Sequence, residues 1–147
     1  LGVKTYIGAE KNPLDDDIDQ NTYIKVSIFL SVFDVHVNRM PVKGSISSIH
    51  YIPGKFLNAT LDKSSKENER NIIFIKKNND SFYIVQIAGL IARRIVCEIS
   101  ENQEVQQGSR IGMIRFGSRV DIYFENYNPL VKINQKTIAG ETLLAKK

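Results

Sequence analysis

Few side chains here are capable of covalent or proton-transfer chemistry. The chain has two histidines, His36 and His50, and one thiol, Cys97. That supply argues against a metal site. One cysteine rules out an internal disulfide and permits a reducing compartment. Cys97 lies in the apolar run Ile95-Val96-Cys97-Glu98-Ile99 and reads as a small buried residue, not a nucleophile. Asp15, Asp16, Asp17 and Asp19 lack the spacing and the glycine of a calcium loop, so they read as an exposed loop. His36 is a candidate for general acid-base work, because the unperturbed pKa of a histidine lies near neutrality. It also alternates with Asp34 and Asn38 along a strand pattern, where a polar surface residue is an equally good reading. His50 reads as a strand residue. Ser118 remains, inside Arg115-Phe116-Gly117-Ser118-Arg119-Val120-Asp121. On its own, Gly117-Ser118 is explained by a turn between two strands.

The elements that must position these residues are short and mostly β. With 147 residues and a 42% apolar content, the chain suits one domain with a real core. β-Branched and aromatic runs predict strands at Tyr23–Phe33, Gly44–Tyr51, Asn71–Lys76, Phe82–Ala88, Ile95–Ile99, Arg110–Phe116, Val120–Phe124 and Leu130–Ile133. Asn78-Asn79-Asp80-Ser81 predicts a hairpin turn. Helical signals are limited to one turn within Asn58–Arg70 and a short helix or tight loop at Ala88–Arg94. Two segments, Glu104–Ile114 and Val131–Ala145, each read as a strand, a tight turn and a second strand entered through glycine. Such pairs suggest a mainly β, barrel-sandwich-like domain resembling lipoyl and biotinyl carrier folds, with one or two short helices.

The net charge of +4 is spread along the chain, with pI near 9.2. No Lys/Arg run marks a nucleic-acid arm, so nucleic acid is not an expected partner. The mild positive field suits an anionic membrane surface. The longest apolar stretch, Val26 to Val37, is interrupted by polar residues and is too short to span a bilayer.

Four segments give Gly117-Ser118 a context. They are Phe33-Asp34-Val35-His36-Val37-Asn38-Arg39-Met40-Pro41; Pro53 to Lys63 with Asn68-Glu69-Arg70-Asn71; Gln86 to Val96, containing Ala88-Gly89-Leu90-Ile91-Ala92-Arg93-Arg94; and Phe116 to Asp121 near the C-terminus. In this order and spacing, from about Tyr23 onward, the chain resembles the short class of phosphatidylserine decarboxylase proenzymes.

The resemblance implies a pyruvoyl-dependent enzyme made by self-cleavage. The Ser118 hydroxyl would attack the Gly117 carbonyl, and β-elimination would split the ester. Hydrolysis with loss of ammonia would then leave a pyruvoyl group at the new N-terminus. The products would be residues 1–117 and 118–147, held together as two chains of one catalytic domain. The pyruvoyl ketone would condense with the amine of phosphatidylserine and take up the electrons released with carbon dioxide. Serine suits this, being both a nucleophile and the source of a β-leaving oxygen, and glycine leaves the scissile carbonyl open.

By the same resemblance His36 is the proton-transfer residue. Many longer relatives carry a second histidine three positions later, where this chain has Arg39. Arginine is no base at ordinary pH but can bind a carboxylate or phosphate. Lys55, Arg93 and Arg94 are further candidates for the anionic headgroup, or else they pair with surface carboxylates. The family's usual upstream Ser-Pro-Ala-Asp-Gly segment and its N-terminal membrane anchor are not found in this chain. The implied location is the cytoplasmic face of a bacterial inner membrane, with a homodimer as a further possibility. Three alternatives stay open: an uncleaved or truncated inactive proenzyme, the same chemistry on archaetidylserine, and a lipoyl- or biotinyl-like carrier domain. The carrier reading lacks its exposed lysine motif.

Overall fold

A computed structural model of the chain describes residues 5–14, 21–30, 37–61, 63–91, 94–114 and 117–147. In chain order the elements are β1 (Thr5–Glu10), β2 (Tyr23–Leu30), β3 (Val37–Arg39), β4 (Gly44–Ile52), the single-turn helix α1 (Ser64–Glu67), β5 (Arg70–Lys77) and β6 (Asp80–Ile87). There follow β7 (Ile95–Cys97), β8 (Glu104–Val105), β9 (Arg110–Ile114), β10 (Ser118–Phe124), β11 (Asn128–Pro129) and β12 (Ala145–Lys146). The domain is mainly β. Seven strands form one antiparallel sheet in the order β1-β2-β10-β6-β5-β4-β8. Three more form a sheet in the order β3-β9-β7, and β11 pairs with β12.

The two central strands have nearly continuous apolar sequences, as strands covered on both faces require. All seven residues of β10 are buried, and so is nearly all of β6. Register assigns the faces. One carries Ser118, Val120, Ile122 and Phe124 with Ile28 and Leu30 of β2 and Ile84 and Gln86 of β6. Most of this face packs into the larger core with Ile46, Ile73, Ile75, Ile111 and Ile114. The other face carries Arg119, Asp121 and Tyr123 and a smaller core of Tyr23, Ile72, Tyr83, Val85 and Ile87. Aromatic contacts lock this smaller core: Phe74 stacks on Tyr83 at 4.6 Å, and Tyr23 meets Tyr83 edge-on at 5.4 Å.

The expected strands over residues 44–51, 71–76, 82–88 and 120–124 are present within one or two residues. Asn78-Asn79 forms the β5–β6 turn, with Asn78 at φ 56°. Leu130–Ile133 is not a strand. The chain pairs earlier, at Asn128–Pro129, and residues 131–144 run as turns and extended loop. The proposed second strand-turn-strand unit is therefore not formed, although Gly140 does sit in a turn at φ 77°. Of its apolar residues Val131, Leu144 and Ala145 pack with the larger core, while Ile133, Ile138 and Leu143 are exposed. The Glu104–Ile114 unit forms as read, with Gly108 at φ 83° between β8 and β9. Ala88–Leu90 leaves β6 as a loop, not a helix. Strand β1 was not anticipated.

The C-terminus is fastened to the β5–β6 hairpin. The Asp80 carboxylate accepts from Lys147 Nζ at 2.7 Å and from Asn126 Nδ2 at 3.1 Å. These two bonds, that from Lys147 foremost, hold the Asp80 carboxyl below its usual range. A depressed folded-state pKa contributes stability above the ordinary carboxylate range and loses it as pH falls through the folded value. The protection factors of residues 128–147, that is, exchange corrected for its intrinsic pH dependence, should therefore fall as pH drops from the ordinary carboxylate range through the folded value. Asp80→Asn should show the lowered protection already at neutral pH, with no further loss of protection over that range.

Candidate active site

Ser118 is the first residue of β10, opposite Leu30 of β2. It is 1% exposed, and its Oγ is the buried side-chain polar atom without a hydrogen-bond partner among the described residues. Leaving a buried hydroxyl unpaired costs about 1–3 kcal/mol. Buried polar groups are otherwise almost always paired, so this one calls for a reason.

The residue before it is under constraint as well. Gly117 has φ 64°, a left-handed conformation that side chains resist. Its carbonyl packs directly on the backbone of Gly89, where any Cβ would collide with the Gly117 oxygen. Gly89 follows β6 in the loop beside β10. Two glycines from separate segments thus meet at the bond preceding Ser118.

Two polar clusters hold this junction. Beneath β10, Arg119 and Asp121 form a buried ion pair, with Nε–Oδ1 at 2.6 Å and Nη2–Oδ2 at 3.0 Å. Arg119 also donates to Ser27 Oγ at 3.1 Å and, at 3.4 Å each, to Ser64 Oγ and the Leu61 carbonyl. The Phe29 ring lies 5.2 Å from its guanidinium carbon. Residues 27, 61, 64 and 119 are thereby joined across the sheet.

On the Ser118 face, Gln86 is fully buried. Its Nε2 donates to Asn38 Oδ1 at 2.9 Å, and its Oε1 accepts from Asn71 Nδ2 at 3.1 Å. Gln86 lies opposite Val120 in the β6–β10 ladder, and Asn38 belongs to β3. The relay therefore ties the smaller sheet to the Ser118 face of the large one.

Beyond Val120, the same face borders an apolar cavity of about 520 Å³ that runs past Ile122 and Phe124 to Tyr127. The C-terminal stretch 136–145 covers it, and Arg39 lies on its wall. Cavities of this size are typical of small-ligand sites.

The residues singled out from sequence are distributed as follows. Gly117 and Ser118 are joined at the centre. Arg39 is exposed, and its Nη1 donates to the Gly108 carbonyl at 2.9 Å. Lys55 is exposed and pairs with Glu67 at 3.5 Å. Arg94 is exposed just before β7, and His50 is exposed on β4. His36 and Arg93 lie outside the described residues. Sequence reasoning overlooked Gly89 and the Gln86 relay. It also passed over the Arg119–Asp121 pair, although charges two apart on an apolar strand signal a shared face.

Fold and site together define a mainly β domain whose central strand begins with a buried serine lacking a side-chain hydrogen-bond partner among the described residues, preceded by a left-handed glycine whose carbonyl rests on a second glycine. The profile of the phosphatidylserine decarboxylase family matches residues 2–145, and the chain belongs to that family. It is 62% identical over 136 residues to the phosphatidylserine decarboxylase proenzyme of Pelagibacter ubique, covering 92% of this chain and 63% of that protein. It is 48% identical over 145 residues to the proenzyme of Beijerinckia indica, covering 98% and 62%. With the proenzyme of Solidesulfovibrio magneticus it shares 49% over 148 residues, covering 99% and 67%. The chain thus spans a little under two thirds of the length of the first two relatives.

Two substitutions test the junction. Gly89→Ala forces the Gly117 carbonyl to move, so any splitting before Ser118 should slow at least ~10-fold, equivalent to about 1.4 kcal/mol of barrier. The time course of intact mass after synthesis measures it. Arg119→Met strands the Asp121 carboxylate, and breaking a buried pair costs about 3–5 kcal/mol. Urea unfolding should show that loss, measured in a Ser118→Ala background so that only unsplit chains are compared.

Proposed function

We propose that the chain is the catalytic region of a pyruvoyl-dependent phosphatidylserine decarboxylase. In this reading it splits itself between Gly117 and Ser118, and Ser118 becomes the pyruvoyl group. The observation that carries the reading is the unpartnered, buried Ser118 hydroxyl next to a Gly117 carbonyl held against Gly89. The family membership and the proenzyme names of the relatives support it.

The residues present suit the group. A hydroxyl with no competing hydrogen bond among the described residues is free to turn toward the preceding carbonyl. Burial removes water that would otherwise solvate the nucleophile or hydrolyse the ester. Attack by Oγ on the Gly117 carbonyl carbon transfers the acyl group from nitrogen to oxygen. Loss of the Ser118 α-proton then expels the Gly117 carboxylate from Cβ. Water converts the resulting dehydroalanine to the pyruvoyl group and releases ammonia. When formed, that group supplies a conjugated carbonyl as an electron sink for decarboxylation.

The remaining roles belong to the chain's own side chains. His36, two residues before Asn38, is the proposed proton-transfer group, with an ordinary pKa near neutrality. The Gln86–Asn38 bond would steady the strand that follows it. Arg39 offers a planar cation for the carboxylate or phosphate of the substrate. Lys55, Arg93 and Arg94 are further candidates for binding the headgroup. Residues 118–147 would remain bound after splitting, because β10 lies between β2 and β6 with both faces buried. The lipid substrate requires contact with a membrane surface.

Denaturing mass spectrometry tests the reading. The expected products are residues 1–117 and residues 118–147, the latter with a blocked, pyruvoyl N-terminus. Ser118→Ala should give one intact, folded chain with no decarboxylase activity. A single unbroken mass for the parent chain after long incubation at neutral pH would overturn self-processing. Retained activity in Ser118→Ala would overturn the pyruvoyl assignment.

A further inference from the structure

Three large apolar side chains near the Gly117–Ser118 junction point into solvent. Leu61 is 42% exposed, Leu90 58% and Ile91 63%. They belong to two loops, 57–61 and 88–91, which the fold fastens together. Asn68, fully buried, is the fastening. Its amide bonds both the N–H and the carbonyl of Leu57 and donates to the Ala88 carbonyl at 2.8 Å. The Ala88 N–H donates to the Glu69 carbonyl at 3.0 Å. Ala59 is buried against Gly89, the residue that also touches the Gly117 carbonyl. From below, Ser64 Oγ and Arg119 hold the Leu61 carbonyl.

The loops are thus well anchored at their bases and apolar at their tips. Exposed apolar side chains are common singly, and others occur at Tyr51, Ile133, Ile138 and Leu143, but three gathered on two fastened loops mark an interaction surface. The surroundings are cationic. Exposed Lys63 and Lys66 follow Leu61, and exposed Arg94 follows Ile91. Apolar tips flanked by cations match an anionic phospholipid surface. There, aliphatic groups enter the headgroup boundary and lysines meet the negative potential.

We propose that Leu61, Leu90 and Ile91 form the surface by which this domain docks on an anionic bilayer. Docking through these loops places the Gly117–Ser118 junction beside the headgroup layer, because Gly89 joins the 88–91 loop to it. The lipid headgroup then reaches the reactive residue without the whole lipid leaving the bilayer. This inference rests on the proposed decarboxylase reading for its purpose, but its physical content can be tested separately.

The test uses co-sedimentation with vesicles of phosphatidylcholine alone or with phosphatidylglycerol. Decarboxylation of vesicle-bound and of monomeric short-chain phosphatidylserine is measured in parallel. The parent chain should prefer the anionic vesicles. Leu61→Ser/Leu90→Ser/Ile91→Ser should lower vesicle affinity and vesicle activity at least tenfold. It should split at the parent rate and treat monomeric lipid as the parent does. The single variant Ile91→Ser, with one solvent-facing change, should show the same selective loss at several-fold. Unchanged vesicle affinity in both variants overturns the proposal. Equal loss on monomeric and vesicle lipid also overturns it, as does a changed oligomeric state with vesicle binding intact, which would make the patch a protein interface. If the parent chain neither splits nor decarboxylates, the decarboxylase reading fails, and sedimentation still decides the docking surface.

Discussion

Everything near the candidate centre depends on one strand having both faces buried. β10 lies between β2 and β6, and all seven of its residues are withdrawn from water. A strand in that position cannot slip, because a shift of one residue would exchange Ser118, Val120 and Ile122 with Arg119 and Asp121. That exchange would drive a guanidinium and a carboxylate into the larger aliphatic core. The Arg119–Asp121 pair therefore sets register as well as contributing contacts. It is satisfied only on its own face, where Ser27, Ser64 and the Leu61 carbonyl await it.

The register has a consequence at the head of the strand. With Arg119 committed to one face, Ser118 must look to the other, toward Leu30 and the Val120 row. Among the described residues no partner meets its hydroxyl there. The fold satisfies buried polar atoms close by with care, as the Asn71–Gln86–Asn38 relay shows. An unsatisfied hydroxyl within such a structure is the local exception expected where reactivity, rather than stability, selects the residue. The adjoining peptide fits this view, since Gly89 gives up a side chain so that the Gly117 carbonyl can rest against it.

Much of this was legible in the residues. The strands β2, β4, β5, β6 and β10 of the large sheet follow from β-branched and aromatic runs, whereas its edge strand β1 does not. Gly117-Ser118 stood out through the segments around it. The failures have physical causes. Leu130–Ile133 has strand composition but no neighbour to pair with, since β11 and β12 meet on either side of it. Composition reports a preference, and pairing requires a partner. The Gly89 contact and the Gln86 relay join segments 28 and 48 residues apart, and local patterns carry no information on such distances.

The sequence by itself determined the mainly β class, the family resemblance, and Gly117-Ser118 as the dipeptide of interest, because those rest on residue type and spacing along the chain. Only the tertiary structure decided that the Ser118 hydroxyl is buried without a partner among the described residues and that the Gly117 carbonyl rests on Gly89. The same holds for the placing of Leu61, Leu90 and Ile91 on loops clamped by one asparagine. These are properties of segments brought together by folding. Burial, an unmade hydrogen bond and a backbone contact do not exist until the separate strands have met.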